Sequence, residues 1–158
     1  FDYCMNKLNN SGLKEVLNRK VLQDKIPVLG ICIGLHIMAL DSEEGKLSGL
    51  GWIKGNVKKF DENKLIDKPK VPHMGWNSIR IEAGQELFKE INQDKGFYFI
   101  HSYHVKPQNK NIIDSYVHYG EDIVASIKHK NIFATQFHPE KSQYAGLELL
   151  KNYFSFNA

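Results

Sequence analysis

The most constraining feature of this sequence is a cysteine between two glycines, directly after a short apolar run. Residues 26–31 are almost continuously apolar, which is typical of a strand buried on both faces of a parallel sheet. The run passes into Gly30-Ile31-Cys32-Ile33-Gly34, and residues 34–40 predict a helix. A strand, a tight turn around one nucleophilic residue and a helix make a nucleophile elbow. The two glycines therefore predict a turn in which backbone segments approach closely.

Cys32 is a candidate nucleophile because an elbow places its sulfur at the N-terminus of a helix. Free N–H groups and the helix dipole favour the thiolate there, so we expect the thiol pKa to fall below its usual value of about 8.5. The alternative is a structural cysteine that happens to lie beside glycines, because free cysteine is among the most buried residue types. A base elsewhere in the chain favours the catalytic interpretation.

The sequence offers such a base in Gln136-Phe137-His138-Pro139-Glu140, at the end of an apolar run over residues 132–137 that predicts a strand. If both segments end at the carboxyl edge of one sheet, we expect His138 to lie beside Cys32 and Glu140 to orient its imidazole. His-Pro-Glu alone is more often a surface turn. His36 is an alternative base because residues four apart share a helix face, but the sequence gives it no carboxylate partner.

The rest of the chain predicts a layered α/β sheet in one domain covering residues 1–158. The final helix is expected to place Leu147, Leu150 and Phe154 on one apolar stripe. The predicted helices cover residues 11–23, 34–40 and 144–154, with a helical turn at 85–91, short strands and loops over 45–80, and strands at 26–31, 97–105, 123–127 and 132–137.

Composition excludes several classes of protein. The net charge of +3 is spread without basic blocks, which argues against nucleic acid as a partner. No apolar stretch is long enough to predict a membrane-spanning helix. Two cysteines are too few for a disulfide framework, so we expect a cytoplasmic protein with Cys4 as a small buried side chain. His101 and His104 lie three apart on a predicted strand and face opposite sides, so no metal site is predicted.

Together these motifs resemble those of the class I glutamine amidotransferases, and within them the glutaminase subunits of imidazole glycerol phosphate synthase. The resemblance implies a three-layer α/β/α fold with a mainly parallel central sheet. Family members begin with a strand, a helix and a Pro-Gly-x-Gly-type loop that supplies part of the oxyanion hole, and we expect these to be missing ahead of Phe1. The narrower resemblance rests on residues 27–34, Gly49-Leu50-Gly51, residues 70–77, His101-Ser102-Tyr103, residues 136–142 and Gly146-Leu147.

The resemblance also implies roles for individual residues. Cys32 would attack the side-chain amide of glutamine, His138 would transfer protons, and Glu140 would orient His138. No cofactor is implied. At His36 the family usually has glutamine, so contact with the substrate is expected to differ there. The implied substrate-binding residues are Gly30, Ile33, Gly34, His36, Ser102 and Tyr103.

A partner is implied as well, namely a (β/α)₈-barrel cyclase that receives the ammonia in a heterodimer. The implied docking face contains Trp76, Asn77, Tyr98 and Lys141, and buried aromatics with a nearby cation are typical interface anchors. Core packing is the alternative for Trp76 and Tyr98.

Other functions remain open at this stage. A paralogous glutaminase would feed ammonia to a different acceptor, for example an enzyme that amidates surface sugars. A catalytically inactive scaffold would only dock to the barrel. A thiol protease or esterase would use the same elbow, although the resemblance extends well beyond the three catalytic residues.

Overall fold

The computed structural model describes residues 1–65, 70–82, 86–92 and 96–156. Within these ranges no helix has the length and apolar content needed to cross a membrane. The helices are α1 (Asp2–Asn10), α2 (Leu13–Asn18), which continues as a π-helical turn at Arg19–Gln23, α3 (Ile33–Ile37) and α4 (Gln143–Ser155), with 3₁₀ turns at Glu62–Lys64, Lys110–Ile112 and Pro139–Lys141.

The described strands form three hydrogen-bonded sheets, with five, three and two strands. The strands are β1 (Val28–Ile31), β2 (Asp41–Ser42), β3 (Gly55–Lys59), β4 (His73–Asn77), β5 (Ile79–Ile81), β6 (Phe97–His101), β7 (Tyr103–Pro107), β8 (Ile113–Tyr119), β9 (Glu121–His129) and β10 (Ile132–Thr135). Their order is β1-β10-β9-β8-β5 in the largest sheet, β2-β3-β7 in the second and β4-β6 in the third.

At one end of the five-stranded sheet, β1 pairs with β10 in parallel, with Ile31 opposite Thr135. The expectation of a mainly parallel sheet is wrong for the described residues, because β10 to β9, β9 to β8 and β8 to β5 all pair antiparallel. The physical reason is the length of the connections. Gly120 alone joins β8 to β9, and such a hairpin forces antiparallel pairing, whereas parallel strands need a longer crossover.

Apolar side chains pack on both faces of the five-stranded sheet, as a layered fold requires. Ile132 and Ala134 of β10 face one core, which also contains Leu35 and Met38 from the α3 region. Phe133, between them in sequence, faces the opposite core, which α4 covers. The predicted α/β class, with helices on both sides of the sheet, is therefore confirmed.

Two sequence predictions differ from the structure in detail. The predicted strand over residues 97–105 is broken at Ser102, because β6 pairs with β4 whereas β7 pairs with β3. The predicted stripe on α4 is wrong: Leu147 and Phe154 are 51% and 66% exposed. The helix packs instead through Ala145, Gly146 and Leu149. A side chain at Gly146 would overlap the Pro139 carbonyl oxygen, so the helix approaches too closely for larger residues there.

Most other elements lie near their predicted positions, with shifted ends. The helix predicted over residues 11–23 is α2 with its π-helical extension, while α1 and β8 were not predicted. The helical turn predicted at residues 85–91 begins outside the described residues, and residues 86–90 form turns.

Candidate active site

Cys32 occupies the turn between β1 and α3, as the elbow predicts. Its backbone has φ 51° and ψ −105°, a conformation that non-glycine residues adopt only under strain. Its N–H donates to the Thr135 carbonyl oxygen at 2.7 Å, which ties the elbow to the end of β10. A methyl group at Gly30 would lie 2.9 Å from the Gly34 carbonyl carbon, whereas Gly34 itself has open space. Only Gly30 is therefore required for the close approach.

The Cys32 sulfur is half-buried and lies between one acceptor and one donor. It lies 3.8 Å from the Ile100 carbonyl oxygen and 3.9 Å from Nε2 of Gln136. Burial raises the pKa of the Cys32 thiol, and the Glu140 charge adds to the rise, while the Ile33 N–H lowers it by donating to the sulfur. The expected depression of the pKa is therefore wrong. The five-residue α3 is too short for its dipole to offset desolvation.

His138 and Glu140 lie at the same edge of the sheet as Cys32. Nδ1 of His138 is 2.6 Å from Oε1 of Glu140, and the His138 N–H donates to the Tyr98 carbonyl oxygen. Because a carboxylate only accepts, Nδ1 carries the hydrogen and Nε2 keeps a free lone pair. That Nε2 atom is buried and has no hydrogen-bond partner among the described residues. The imidazole is thus held in the tautomer that can take a proton.

A cavity of about 400 Å³ opens beside Cys32. Four of the six predicted substrate-binding residues line it, and Gly30 and Gly34 do not. Cys4, expected as a simple core residue, is half-buried and also lines this cavity. The full lining is Phe1, Cys4, Cys32, Ile33, His36, Glu44, Ile100, His101, Ser102 and Tyr103.

Sequence reasoning missed Glu44, which also lines the cavity. No motif marks Glu44, which lies in the turn after β2. It gives the cavity a fixed negative group suited to an ammonium ion.

The predicted docking residues lie around β4, β6 and the turn before α4. Trp76 is 42% exposed and its ring meets Tyr98 edge to face at 6.0 Å, with Lys141 Nζ 5.9 Å from the Tyr98 ring centre. A side chain with this exposed fraction is not part of the core, so core packing is disfavoured as the role of Trp76. Asn77 points inward and donates to Nε2 of His73 at 2.8 Å.

The Asn77 contact begins a directional chain of hydrogen bonds behind the cavity. Because Nε2 of His73 accepts from Asn77, its Nδ1 donates to Nε2 of His101 at 3.0 Å. Nδ1 of His101 then donates to the Tyr103 carbonyl oxygen at 2.8 Å. Burial lowers the pKa of His73 to about 4 and that of His101 well below its usual value. Both rings are therefore neutral at pH 7.

Among the described residues, no group of three histidine, cysteine, aspartate or glutamate side chains is arranged to hold a metal ion. The site consists of a half-buried thiol, an oriented imidazole–carboxylate pair at the same sheet edge, and a cavity that opens beside the thiol. A nucleophile, an oriented base and an adjacent cavity are the features that a hydrolase with a covalent intermediate requires.

Comparison with known proteins gives the class of protein. The model of the glutamine amidotransferase class-I family matches residues 6–155. A crystal structure of a glutamine amidotransferase superposes with a TM-score of 0.62 at 12% identity, over 93% of this chain and 71% of that one. The chain belongs to the class I glutamine amidotransferase family.

Within that family the chain is similar to proteins named imidazole glycerol phosphate synthase subunit HisH. It is 41% identical to the HisH subunit of Leptospira borgpetersenii over 155 residues, which are 98% of this chain and 76% of that one. It is 43% identical to the HisH subunit of Leptospira interrogans over the same shares of both chains. The chain therefore spans about three quarters of the length of these relatives.

The elbow geometry predicts that alanine substitutions at its two glycines differ in their effect on the free energy of unfolding. We expect Gly30→Ala to lower the free energy of unfolding by about 1–3 kcal/mol, because the new methyl group meets backbone atoms of Gly34. Gly34→Ala should leave it unchanged within about 0.5 kcal/mol, because the position is open. Urea unfolding of both variants tests this, and equal losses would contradict the assigned packing.

The buried histidines predict sensitivity to acid. In the unfolded chain they take up protons near pH 6.5, whereas the folded pKa of His73 and of His104 is about 4. Their stabilisation of the fold is complete above pH 6.5 and is lost as pH falls towards 4, by up to about 1.4 kcal/mol per pH unit for each histidine.

We therefore expect His104→Leu to flatten the decline of the melting temperature between pH 6.5 and 5. His118→Leu is the matched control, because the His118 side chain is 75% exposed. An unchanged slope in His104→Leu would show that His104 is not kept neutral by the fold.

Proposed function

We propose that this chain is the glutaminase subunit of an imidazole glycerol phosphate synthase. It would hydrolyse glutamine to glutamate and ammonia, and a (β/α)₈-barrel cyclase would use the ammonia in histidine biosynthesis. The observation that carries the proposal is the strained Cys32 elbow, which opens on the cavity and shares its sheet edge with the His138–Glu140 pair. The similarity to HisH subunits supports the same acceptor.

Catalysis begins with the Cys32 thiol, which is neutral at pH 7 because burial raises its pKa. A neutral thiol is a poor nucleophile, so a base must take its proton as the sulfur attacks the amide carbon of glutamine. The free lone pair on Nε2 of His138 is the proposed acceptor. Glu140, bonded to Nδ1, stabilises the imidazolium that results.

The attack forms a carbon–sulfur bond and places a negative charge on the amide oxygen. The Ile33 N–H, at the first position of α3, is the proposed donor to that oxyanion, and such a donor is worth about 3–4 kcal/mol in comparable hydrolases. His138 then gives its proton to the leaving nitrogen, and ammonia departs. Water, deprotonated by the same imidazole, attacks the thioester and releases glutamate and the free thiol.

The cavity has groups for the other end of glutamine. We propose that Glu44 binds the α-ammonium group and that the backbone at Ser102 and Tyr103 holds the amino-acid moiety. Nδ1 of His36 is buried and has no partner within the part of the chain that the structure describes, and we propose that it accepts a hydrogen bond from the substrate. These steps transfer protons and an acyl group only, so we propose no cofactor.

The barrel partner is proposed to dock on the exposed face formed by Met74, Trp76, Tyr98, Lys141 and Tyr144. Met74 lies two residues before Trp76 on β4 and so shares its face, and Tyr144 follows Lys141 by three residues; the two side chains are 59% and 66% exposed. Large aromatic side chains surrounded by polar groups are typical anchors of protein interfaces. Cys4 and Cys32 are free thiols, consistent with a proposed site of action in the cytoplasm.

The first test measures glutamate release from glutamine, with and without the cyclase. We expect turnover in the presence of the cyclase and at least a 1,000-fold loss in Cys32→Ala, because the nucleophile is removed, on the order of the losses seen for other triad enzymes. Cys4→Ala is the comparison for loss of the other thiol of the cavity, which is not the proposed nucleophile. Turnover that depends on Cys32 and ignores the cyclase would indicate another acceptor, and none under any condition would favour a scaffold.

The docking face is tested by titration calorimetry with the cyclase. Trp76→Ala should weaken binding by about 2 kcal/mol or more, roughly 30-fold in Kd, because an anchor side chain is lost. Phe154→Ala removes a ring that is 66% exposed at the far end of α4 and should leave Kd within about threefold. Equal effects of the two substitutions would place the interface elsewhere.

A further inference from the structure

A buried pair of polar side chains lies directly behind the Cys32 sulfur. His36, on α3, and Gln136, after β10, are 4% and 0% exposed. Nε2 of His36 is 2.9 Å from Oε1 of Gln136. The Gln136 main chain is fixed as well, because its N–H donates to the Ala125 carbonyl oxygen at 2.8 Å. The pair joins two elements that are one hundred residues apart in the chain, and none of the catalytic steps above uses Gln136.

The chemistry of the pair determines where the Gln136 amide points. Oε1 can only accept a hydrogen bond, so Nε2 of His36 must carry the hydrogen. The amide NH₂ group is then turned to the other side, where Nε2 lies 3.9 Å from the Cys32 sulfur. His36 is therefore bonded to Gln136 and is not the base for Cys32.

The reverse orientation of the amide fits the sulfur less well. It would bring Oε1 to the sulfur, which already has the Ile100 carbonyl oxygen 3.8 Å away. A thiol has one hydrogen, so one of the two oxygens would face sulfur lone pairs. With NH₂ towards the sulfur, the thiol donates to the Ile100 carbonyl oxygen and accepts from Gln136, so both neighbours of the sulfur are matched.

We infer that Gln136 is a further catalytic residue, whose amide N–H stabilises the Cys32 sulfur as it loses its proton, and that His36 is the residue that positions this amide. The role of Gln136 in catalysis rests on the proposed glutaminase function, whereas its effect on the Cys32 thiol does not. When the proton leaves, the Ile100 oxygen becomes a repulsive neighbour, and the Gln136 N–H is a neutral donor directed at the charge. Hydrogen bonds to charged groups are the stronger ones.

The test is the rate of alkylation of Cys32 by iodoacetamide from pH 6 to 10, measured by mass spectrometry of the Cys32 peptide. Gln136→Met keeps the volume and removes the N–H, so the midpoint of the pH profile should rise and the rate at pH 8 should fall roughly three- to tenfold. Gln136→Glu puts an acidic group beside the sulfur and should lower the rate by roughly tenfold or more. Reduced glutathione in the same reaction is the internal control for the reagent, and its rate should not change.

The role of His36 is tested by a matched pair of substitutions. His36→Leu removes the donor that fixes the amide and should reproduce the slow alkylation of Gln136→Met. His36→Gln supplies a new N–H for Oε1 of Gln136 and should restore most of the rate. Buried polar pairs also affect folding, so the melting temperature of each variant is measured, and only a shift of the pH profile in folded protein supports the inference.

Two results would overturn the inference: a wild-type pH profile in folded Gln136→Met, or slow alkylation in His36→Gln equal to that in His36→Leu. Glutamine hydrolysis by the wild-type chain with its cyclase is measured separately. If wild-type protein shows no hydrolysis while the alkylation shifts are found, the proposed function fails and the contact between Gln136 and the sulfur stands.

Discussion

The parallel pairing of β1 with β10 is the constraint on which the site depends. Its register puts Ile31 opposite Thr135, so the elbow and the segment that carries His138 leave the sheet side by side. The hydrogen bond from the Cys32 N–H to the Thr135 carbonyl oxygen extends that register by one residue. A shift of one residue would turn alternate side chains to the opposite face and separate the thiol from its neighbours.

Burial at this edge decides the protonation state of the site before any substrate is present. It raises the pKa of the Cys32 thiol and lowers that of His36, so both groups are neutral. A resting thiol is less prone to oxidation than a thiolate, because reactivity follows thiolate content. In the proposed mechanism, activation of the thiol depends on proton transfer during the attack, so the nucleophile forms only when substrate is present.

Much of the fold and site could be predicted from the sequence, because some signals are local. The elbow follows from the apolar run that leads into Gly30 and Cys32, and the His138–Glu140 pair from spacing around a rigid proline. The sequence could not predict features that depend on distant neighbours. The strand breaks at Ser102 because its two halves find different partners, although the aromatic and β-branched pattern continues across it. The direction of the Cys32 pKa shift and the partner of His36 depend on tertiary burial in the same way.

The chain of hydrogen bonds from Asn77 through His73 and His101 to Tyr103 has a further consequence. Each neutral imidazole has one donor and one acceptor nitrogen, and both are used. All the hydrogen bonds of the chain therefore run in one direction, from Asn77 towards the Tyr103 carbonyl oxygen. Reversing the direction of these hydrogen bonds would require both imidazoles to change tautomer together. A charged intermediate is unfavourable, because burial lowers the pKa of both His73 and His101. The tautomers of both histidines behind the cavity are therefore fixed. The Tyr103 carbonyl oxygen keeps its hydrogen bond from His101 during side-chain motion, and this side of the cavity presents a constant electrostatic potential to a ligand.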